Sequence, residues 1–514
     1  MMGLEMEENV QCSPSASSAQ DVDLPDAPPP DDASPSVALN TLFDENDSDE
    51  ESPSLSSNDL SSSLPDQSAT PSDPAPQQAE SYSDPNLMLQ FYSRLFPFRT
   101  LFGWLNHSPK PGPDFCNREF ALTLPNDAYL RYQSYPTADL LRKDMLRLNP
   151  SRFEIGPVYT TNPRDRKALR KSSMFKPLSK EIVFDIDLTD YDDVRSCCTK
   201  ANICAKCWTF ATMAIKVIDV ALRDDFGFEH IMWVYSGRRG VHAWISDKDA
   251  RELDDDKRKA ITGYFEVLKG GVQGGKRVNI KRPLHPHLTR SLDILKPYFE
   301  QSILVDQEPF LSEAGQERLL QLLPDKALND ALRKKWASSP DRPSVRKWAD
   351  INALAEAGVS SMLSPKALLE AKQDILFEYT YPRLDVGVGK TRIHLLKSPF
   401  VVHPGTGRVC VPITTNGDMD QVEAFDPLTV PKVTDLLREI DAYTSAHGHP
   451  DAEDEYVAAD GKSMRKVNDW EKTKLKPYVE MFEIFVKNLW KSESVRVKRE
   501  RDEQGVTGAN DLSF

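Results

Sequence analysis

Glu181-Ile182-Val183-Phe184-Asp185-Ile186-Asp187-Leu188-Thr189-Asp190 carries an apolar residue at every second position: Ile182, Phe184, Ile186 and Leu188. That is the period of a half-buried strand. Asp185 and Asp187 therefore project together from the opposite face, beside Val183. Two carboxylates held that close repel each other unless a positive charge lies between them. One reading is an acidic strand face turned to water. The sharper one is a divalent-cation site, because hard ions such as Mg²⁺ take carboxylate oxygens. Asp-x-Asp alone does not choose, so the flanking chain decides.

Just C-terminal lie Cys197, Cys198, Cys204 and Cys207. Cys-x2-Cys is half of a tetrahedral zinc site, and a thiolate pair a few residues upstream can complete four sulfurs. Adjacent cysteines must splay to reach one ion; the alternative is that one of them is merely buried. Only seven cysteines occur in 514 residues, four of them within eleven positions, which favours a closed structural zinc over disulfides. Residues 208–223 have helical spacing, and 230–235 and 241–245 read as paired strands. Between those strands, Ser236-Gly237-Arg238-Arg239-Gly240 makes a tight turn. Its backbone N–H groups and two guanidiniums suit a triphosphate, although a plain basic surface turn looks the same. His242 can reach the same phosphates or sit in the core.

Tyr381-Pro382-Arg383-Leu384-Asp385-Val386-Gly387-Val388 alternates again, predicting a strand with Arg383 and Asp385 on one face. Lys397 and His403 are polar groups set in the strand-like stretches 394–404 and 408–413. On the N-terminal side the pattern predicts a helix over 87–98, strands over 118–124 and 129–133, a helix over 143–149 and a basic loop over 163–180. On the C-terminal side it predicts a helix over 251–269, a glycine-rich loop over 270–281, helices through 285–374, and further helices over 433–443 and 475–489.

The net charge of −15 conceals an asymmetry. Residues 1–85 hold nineteen Asp and Glu and no Lys or Arg, so residues 86–514 carry about +4. The first segment is rich in Ser, Pro and Asp and poor in aromatics, and is expected to be disordered. Within it, the stretch from Leu42 to Glu51 reads as plain linker or as a short acidic docking motif with Ser48 as a phosphorylation site. The mildly basic remainder suits a polyanionic partner. No secretory signal and no membrane-length apolar run is visible, so an intracellular soluble protein is expected. The basic residues Arg496, Lys498, Arg499 and Arg501 read as a solvated helix end or as a nuclear import signal, and a nuclear location is expected.

Joining nucleotides takes two metal ions about 3.5–4 Å apart, held by carboxylates, with cations to neutralise the phosphates. Asp185, Asp187 and Asp385 can supply the first, and Arg238, Arg239, Lys397, His242 and His403 the second. A nucleophilic Ser or Cys with a matching base, a Walker loop and a His-Glu-x-x-His helix are all missing from the sequence.

At these residues the chain resembles the family of small catalytic subunits of eukaryotic DNA primases. The resemblance rests on Arg118-Glu119-Phe120, on Val183 through Asp193, and on Cys197 through Trp208. It continues in Ser236 through His242, Tyr381 through Asp385, and His394 through Pro404. It spans about residues 86–490. It implies an α/β core of the archaeo-eukaryotic primase superfamily, with mixed sheets flanked by helices, a zinc knuckle and an inserted all-helical subdomain. With the two tails read from composition, the expected organisation is a disordered acidic tail over 1–85, a discontinuous core over 86–284 and 375–490, a helical insertion over 285–374 and a flexible charged tail over 491–514. The implied activity is template-dependent RNA primer synthesis. Asp185, Asp187 and Asp385 would bind Mg²⁺ or Mn²⁺. Ser236, Arg238, Arg239, His242, Lys397 and His403 would hold the incoming triphosphate, with Arg383 suited to ribose or phosphate. Glu119 and Arg131 match positions near the initiating nucleotide, and Cys197, Cys198, Cys204 and Cys207 match the zinc ligands. The implied partners are single-stranded DNA, ribonucleoside triphosphates, a large iron–sulfur subunit and the DNA polymerase alpha complex. Rival readings are a repair-type primase-polymerase or metal-dependent nuclease on the same acidic sheet, an inactive scaffold subunit, and a zinc-dependent DNA-binding module.

Overall fold

The computed structural model describes residues 82, 84–268, 278, 280–360, 362–415, 419–447 and 467–510, with side chains up to 499. The expectations for the acidic first segment, including the docking motif, and for most of the 270–281 loop lie outside the described residues.

Among the described residues nine strands form two sheets: β1 Arg118–Thr123, β2 Tyr129–Gln133, β3 Arg152–Tyr159, β4 Pro177–Ser179, β5 Ile182–Asp187, β6 Ile231–Tyr235, β7 Gly240–Ile245, β8 Leu396–Lys397 and β9 Pro412–Ile413. The first sheet runs β2-β1-β3-β4, and β8 lies beside β3. β3 pairs with β1 along one edge and with both β8 and β4 along the other. The second sheet runs β5-β7-β6-β9. The class is α/β as expected. The sheets, expected to be mixed, are antiparallel at every described pairing.

The alternation in β5 works as the sequence predicts. Phe184 and Ile186 are buried, and Trp233 on the same face of β6 donates from Nε1 to Asp219 Oδ1 of the Ala205–Asp224 helix at 3.0 Å. The opposite face is closed at one end and open at the other. Over Val183 and Trp244 it is capped by Trp104, whose ring meets Trp244 edge-on at 5.2 Å and Phe482 at 5.7 Å. Burying a side chain such as Phe482 contributes roughly 1.5–3 kcal/mol. Two residues along, the cap ends, and Asp185 and Asp187 are 29% and 36% exposed. One strand thus has a sealed half that fixes it and an open half that presents two carboxylates.

Several elements differ from expectation. The predicted 381–388 strand is absent. Asp385 instead caps a short helix, Val386–Lys390, its Oδ1 accepting from Gly387 N at 2.8 Å. Glycine explains this: a Cβ at Gly389 would lie 2.9 Å from Val183 O, so the residue permits close packing on β5. The 87–98 helix is two, Pro85–Arg94 and Phe98–Asn106, broken before Pro97. The stretches 394–404 and 408–413 keep β8, β9 and two isolated bridges, Val402–Val409 and Arg408–Lys432, as strand structure. Between Pro286 and Thr380 the described elements are all helical, and the last helix runs Lys476–Asn510, beyond the expected 489. No helix among the described residues is long and apolar enough to cross a membrane.

Candidate active site

The β5–β7 register sets Asp185 opposite His242 and Asp187 opposite Gly240. Cross-strand neighbours share a face, so His242 joins the two acids, its Nε2 3.6 Å from Asp185 Oδ1. The third acid arrives from 200 residues away: Asp385 N donates to Asp185 O at 3.1 Å. Asp385 therefore stands beside β5 on an element other than the strand expected for it. Asp187 is held by Arg239, whose Nε lies 2.9 Å from both carboxylate oxygens, and by Thr189 N and Oγ1 at 2.8 Å. A fourth acid, Asp190, shares the field. Burial, then Asp187 and to a smaller degree Asp385, push its carboxyl up to about 6 against the pull of Arg383 and Arg239.

Facing these acids is a set of cations. The Ser236–Gly240 turn is closed by Ser236, whose N donates to Gly240 O and whose Oγ accepts from Gly240 N, both at 2.9 Å. Gly237 has φ +90°, and a Cβ there would lie 2.6 Å from His403 Cβ. That contact joins the Arg238-Arg239 turn to His403. The other sheet delivers Lys397, paired with Glu154 of β3. Burial, then the charges of Lys397, Arg238, Arg239 and Arg152, push His403 down to about 3. Burial, then Lys397 and Arg152, do the same to His242, also to about 3. Both rings are neutral at physiological pH. His403 Nδ1 accepts from Gly405 N at 3.1 Å, which leaves its ring proton on Nε2 as a donor.

Other residues named from the sequence fall in three places. Arg383 is buried, its guanidinium donating to the Asp193 carboxylate, Asp190 O and Glu378 O, so it braces the acidic loop. Glu119 is also buried, accepting from Arg131 Nε at 2.9 Å, Tyr132 N at 3.3 Å and Tyr159 Oη at 3.1 Å. Cys197, Cys198, Cys204 and Cys207 bring their sulfurs within 4.8 Å of one another. Four thiolates about 2.3 Å from a tetrahedral zinc lie about 3.8 Å apart, and Cys204 and Cys207 are already at 3.9 Å. The cluster can bind a metal such as zinc. Gln307 supports it, its Nε2 3.3 Å from Cys197 Sγ and its Oε1 accepting from Ser196 N at 2.7 Å.

Residues 184–415 match the family model described as the DNA primase small subunit. The chain is 52% identical over 426 residues to the DNA primase small subunit of Schizosaccharomyces pombe, covering 82% of this chain and 92% of that one. It is 43% identical over 434 residues to that of Saccharomyces cerevisiae, covering 83% and 97%. To that of Drosophila melanogaster it is 37% identical over 410 residues, covering 78% and 91%. The chain belongs to the DNA primase small-subunit family.

Membership makes it an enzyme of DNA replication, a nucleotidyltransferase of the DNA-directed RNA polymerase class. Among primase small subunits, its site holds two residues that sequence reading passed over. Arg152 opens β3 behind Pro150 and charges both histidine surroundings. Nothing local singles it out. Asp190 ends the acidic stretch, and its signal is its position three residues beyond Asp187.

Proposed function

We propose that this chain synthesises short RNA primers de novo on single-stranded DNA from ribonucleoside triphosphates. The observation that carries the reading is the Asp385 N–Asp185 O hydrogen bond, which gathers three acids opposite a cradle of cations. The donor set suits hard divalent ions, being carboxylate oxygens on partly open side chains. Asp185, Asp187 and Asp385 would hold two Mg²⁺ or Mn²⁺ ions, which when bound supply an activated 3′-hydroxyl and charge neutralisation at the triphosphate. Arg238, Arg239 and Lys397 neutralise the remaining phosphate charge, and the His403 Nε2 proton and His242 donate hydrogen bonds. Ser236 keeps the turn closed so that both arginines start from fixed backbone. Glu119 orients Arg131, which would meet the initiating nucleotide.

The four thiolates would hold a closed, structural zinc, bracing the loop between the acidic strand and the Ala205–Asp224 helix. Outside that cluster the described cysteines, Cys116 and Cys410, are buried and separate, in keeping with an iron–sulfur cluster carried by a partner. We assign the chain to a nuclear primase complex with that large subunit and DNA polymerase alpha.

A nuclease has no use for five cationic or histidine groups gathered to hold a triphosphate. The test is incubation with single-stranded DNA and ribonucleotides without primer. Wild type should form dinucleotides, and Asp185→Asn should lower the rate by about 10²–10³-fold. Template degradation without synthesis, or an unaffected variant, would sink the reading.

A further inference from the structure

One concentration of positive charge lies between two strands of the first sheet. Residues 164–176 contain Arg164, Arg166, Lys167, Arg170, Lys171 and Lys176 against the single acid Asp165, a net +5. Residues 86–514 total about +4, so without this segment the rest is about −1. The segment runs from the end of β3 to β4, closed by Thr160 N donating to Lys176 O at 3.0 Å. Lys167, Arg170, Lys171 and Lys176 are exposed and make no ion pair among the described residues. Other exposed arginines, such as Arg147, Arg333 and Arg438, pair with an acid three residues away. Four unpaired like charges on one short loop repel one another, an arrangement that favours a polyanion across them.

The loop leads to the active site through stacked groups. Arg166 lies 3.8 Å over the Tyr132 ring, and Arg131 lies 5.0 Å from the same ring. Tyr132 has φ +60°, a strained conformation for a side chain of this size. Phe175 stacks on Tyr159 at 3.9 Å, and Tyr159 Oη donates to Glu119. Arg131 and Tyr132 lie on β2 and Lys397 on β8 of one sheet, so this platform and the cationic side of the site share a scaffold. At the loop's far end, Arg392, just past the Val386–Lys390 helix, donates to Leu178 O at 3.0 Å.

We propose that residues 164–176 form a track for the phosphodiester backbone of a polynucleotide, which passes the Tyr132–Arg166 stack on its way to or from the three acids. Interleaved cations and aromatic rings are the usual chemistry of single-strand binding. The backbone belongs either to the template or to the growing primer, which present the same phosphates. This inference rests on the template-directed reading above.

The experiment measures binding of the full chain to a labelled single-stranded DNA, and to the same DNA annealed to a short RNA, between 50 and 200 mM salt. The Arg170→Glu, Lys171→Glu double variant is compared with wild type. Losing two phosphate contacts should flatten the log–log salt dependence by about 1.4 on a single strand. Affinity at the low-salt end should fall at least tenfold, while the nucleotide KM at saturating template stays within twofold. Loss on DNA alone assigns the track to the template, and loss confined to the annealed form assigns it to the primer. Equal affinity and slope for variant and wild type on both ligands would overturn the proposal. A wild type that makes no template-directed product would instead be a failure of the underlying primase reading.

Discussion

His403 is ringed by Lys397, Arg238, Arg239 and Arg152, and burial with those charges holds it down at about 3. In the unfolded chain a histidine takes up its proton near pH 6.5. Between about pH 6.5 and 3 the unfolded state therefore binds a proton that the folded state refuses. This residue costs stability as pH falls through that window. In His403→Gln the proton is gone. The decline in unfolding free energy from pH 7 to pH 5 should be shallower than in wild type, by up to about 1.4 kcal/mol per pH unit. Urea titrations at several pH values measure it, and parallel slopes would show that His403 is already charged in the fold. The same ring explains which residues the sequence discloses. Asp185, Asp187 and the four cysteines sit in short local patterns whose chemistry reads directly. Arg152 does not, because a lone arginine at the start of a strand becomes meaningful only when β3 pairs with β8 and brings it toward Lys397.

Among elements, the turn from Ser236 to Gly240 depends most on one residue. Gly237 combines φ +90° with contacts that leave no room for a methyl group, 2.6 Å from His403 Cβ and 3.1 Å from Cys410 Sγ. Gly237→Ala should lose about 1–3 kcal/mol of stability. Because the strain falls on the join between the arginine pair and His403, the nucleotide KM should rise more than kcat falls. Denaturant unfolding and steady-state kinetics test both halves; an unchanged KM would mean the turn can shift without moving the cradle. β5 was legible because its alternation follows burial, with Asp185 and Asp187 on the open face, and β6 and β7 because strands buried along their whole length read as short apolar runs. The 381–388 segment misled for the opposite reason. Its Val-Gly-Val-Gly alternation mimics a strand, yet Gly389 lets the short helix pack closely on β5, a contact invisible from spacing alone.

At the scale of the whole molecule, Asp185 and Asp187 belong to one sheet, with Asp385 hydrogen-bonded to its edge, and Lys397 belongs to the other, so the site exists only if the sheets keep their mutual position. A buried charge cluster holds that junction. Arg118 of β1 meets Glu181, the residue before β5, through two hydrogen bonds of 2.7 and 3.0 Å, and both side chains are fully buried. His107 adds a contact to Glu181 at 3.2 Å and another to Asp114 at 2.6 Å, and Arg251 ties Asp114 to Glu493 of the last helix. Burial alone would raise the Glu181 carboxyl, but Arg118 and His107 hold it well below the ordinary carboxylate range. Its stabilisation is therefore present above pH 4.5 and is lost as pH falls through the lower, folded value. Glu181→Gln strands the Arg118 charge in the interior, and removing one partner of a buried pair costs about 3–5 kcal/mol. Replacing both, with Arg118→Met and Glu181→Gln, removes the stranded charge and should recover part of that loss. Denaturant unfolding of the two single variants and the double variant gives the coupling. If the double variant loses as much as the two singles added together, Arg118 and Glu181 act independently, and some other contact must keep Lys397 facing the acids.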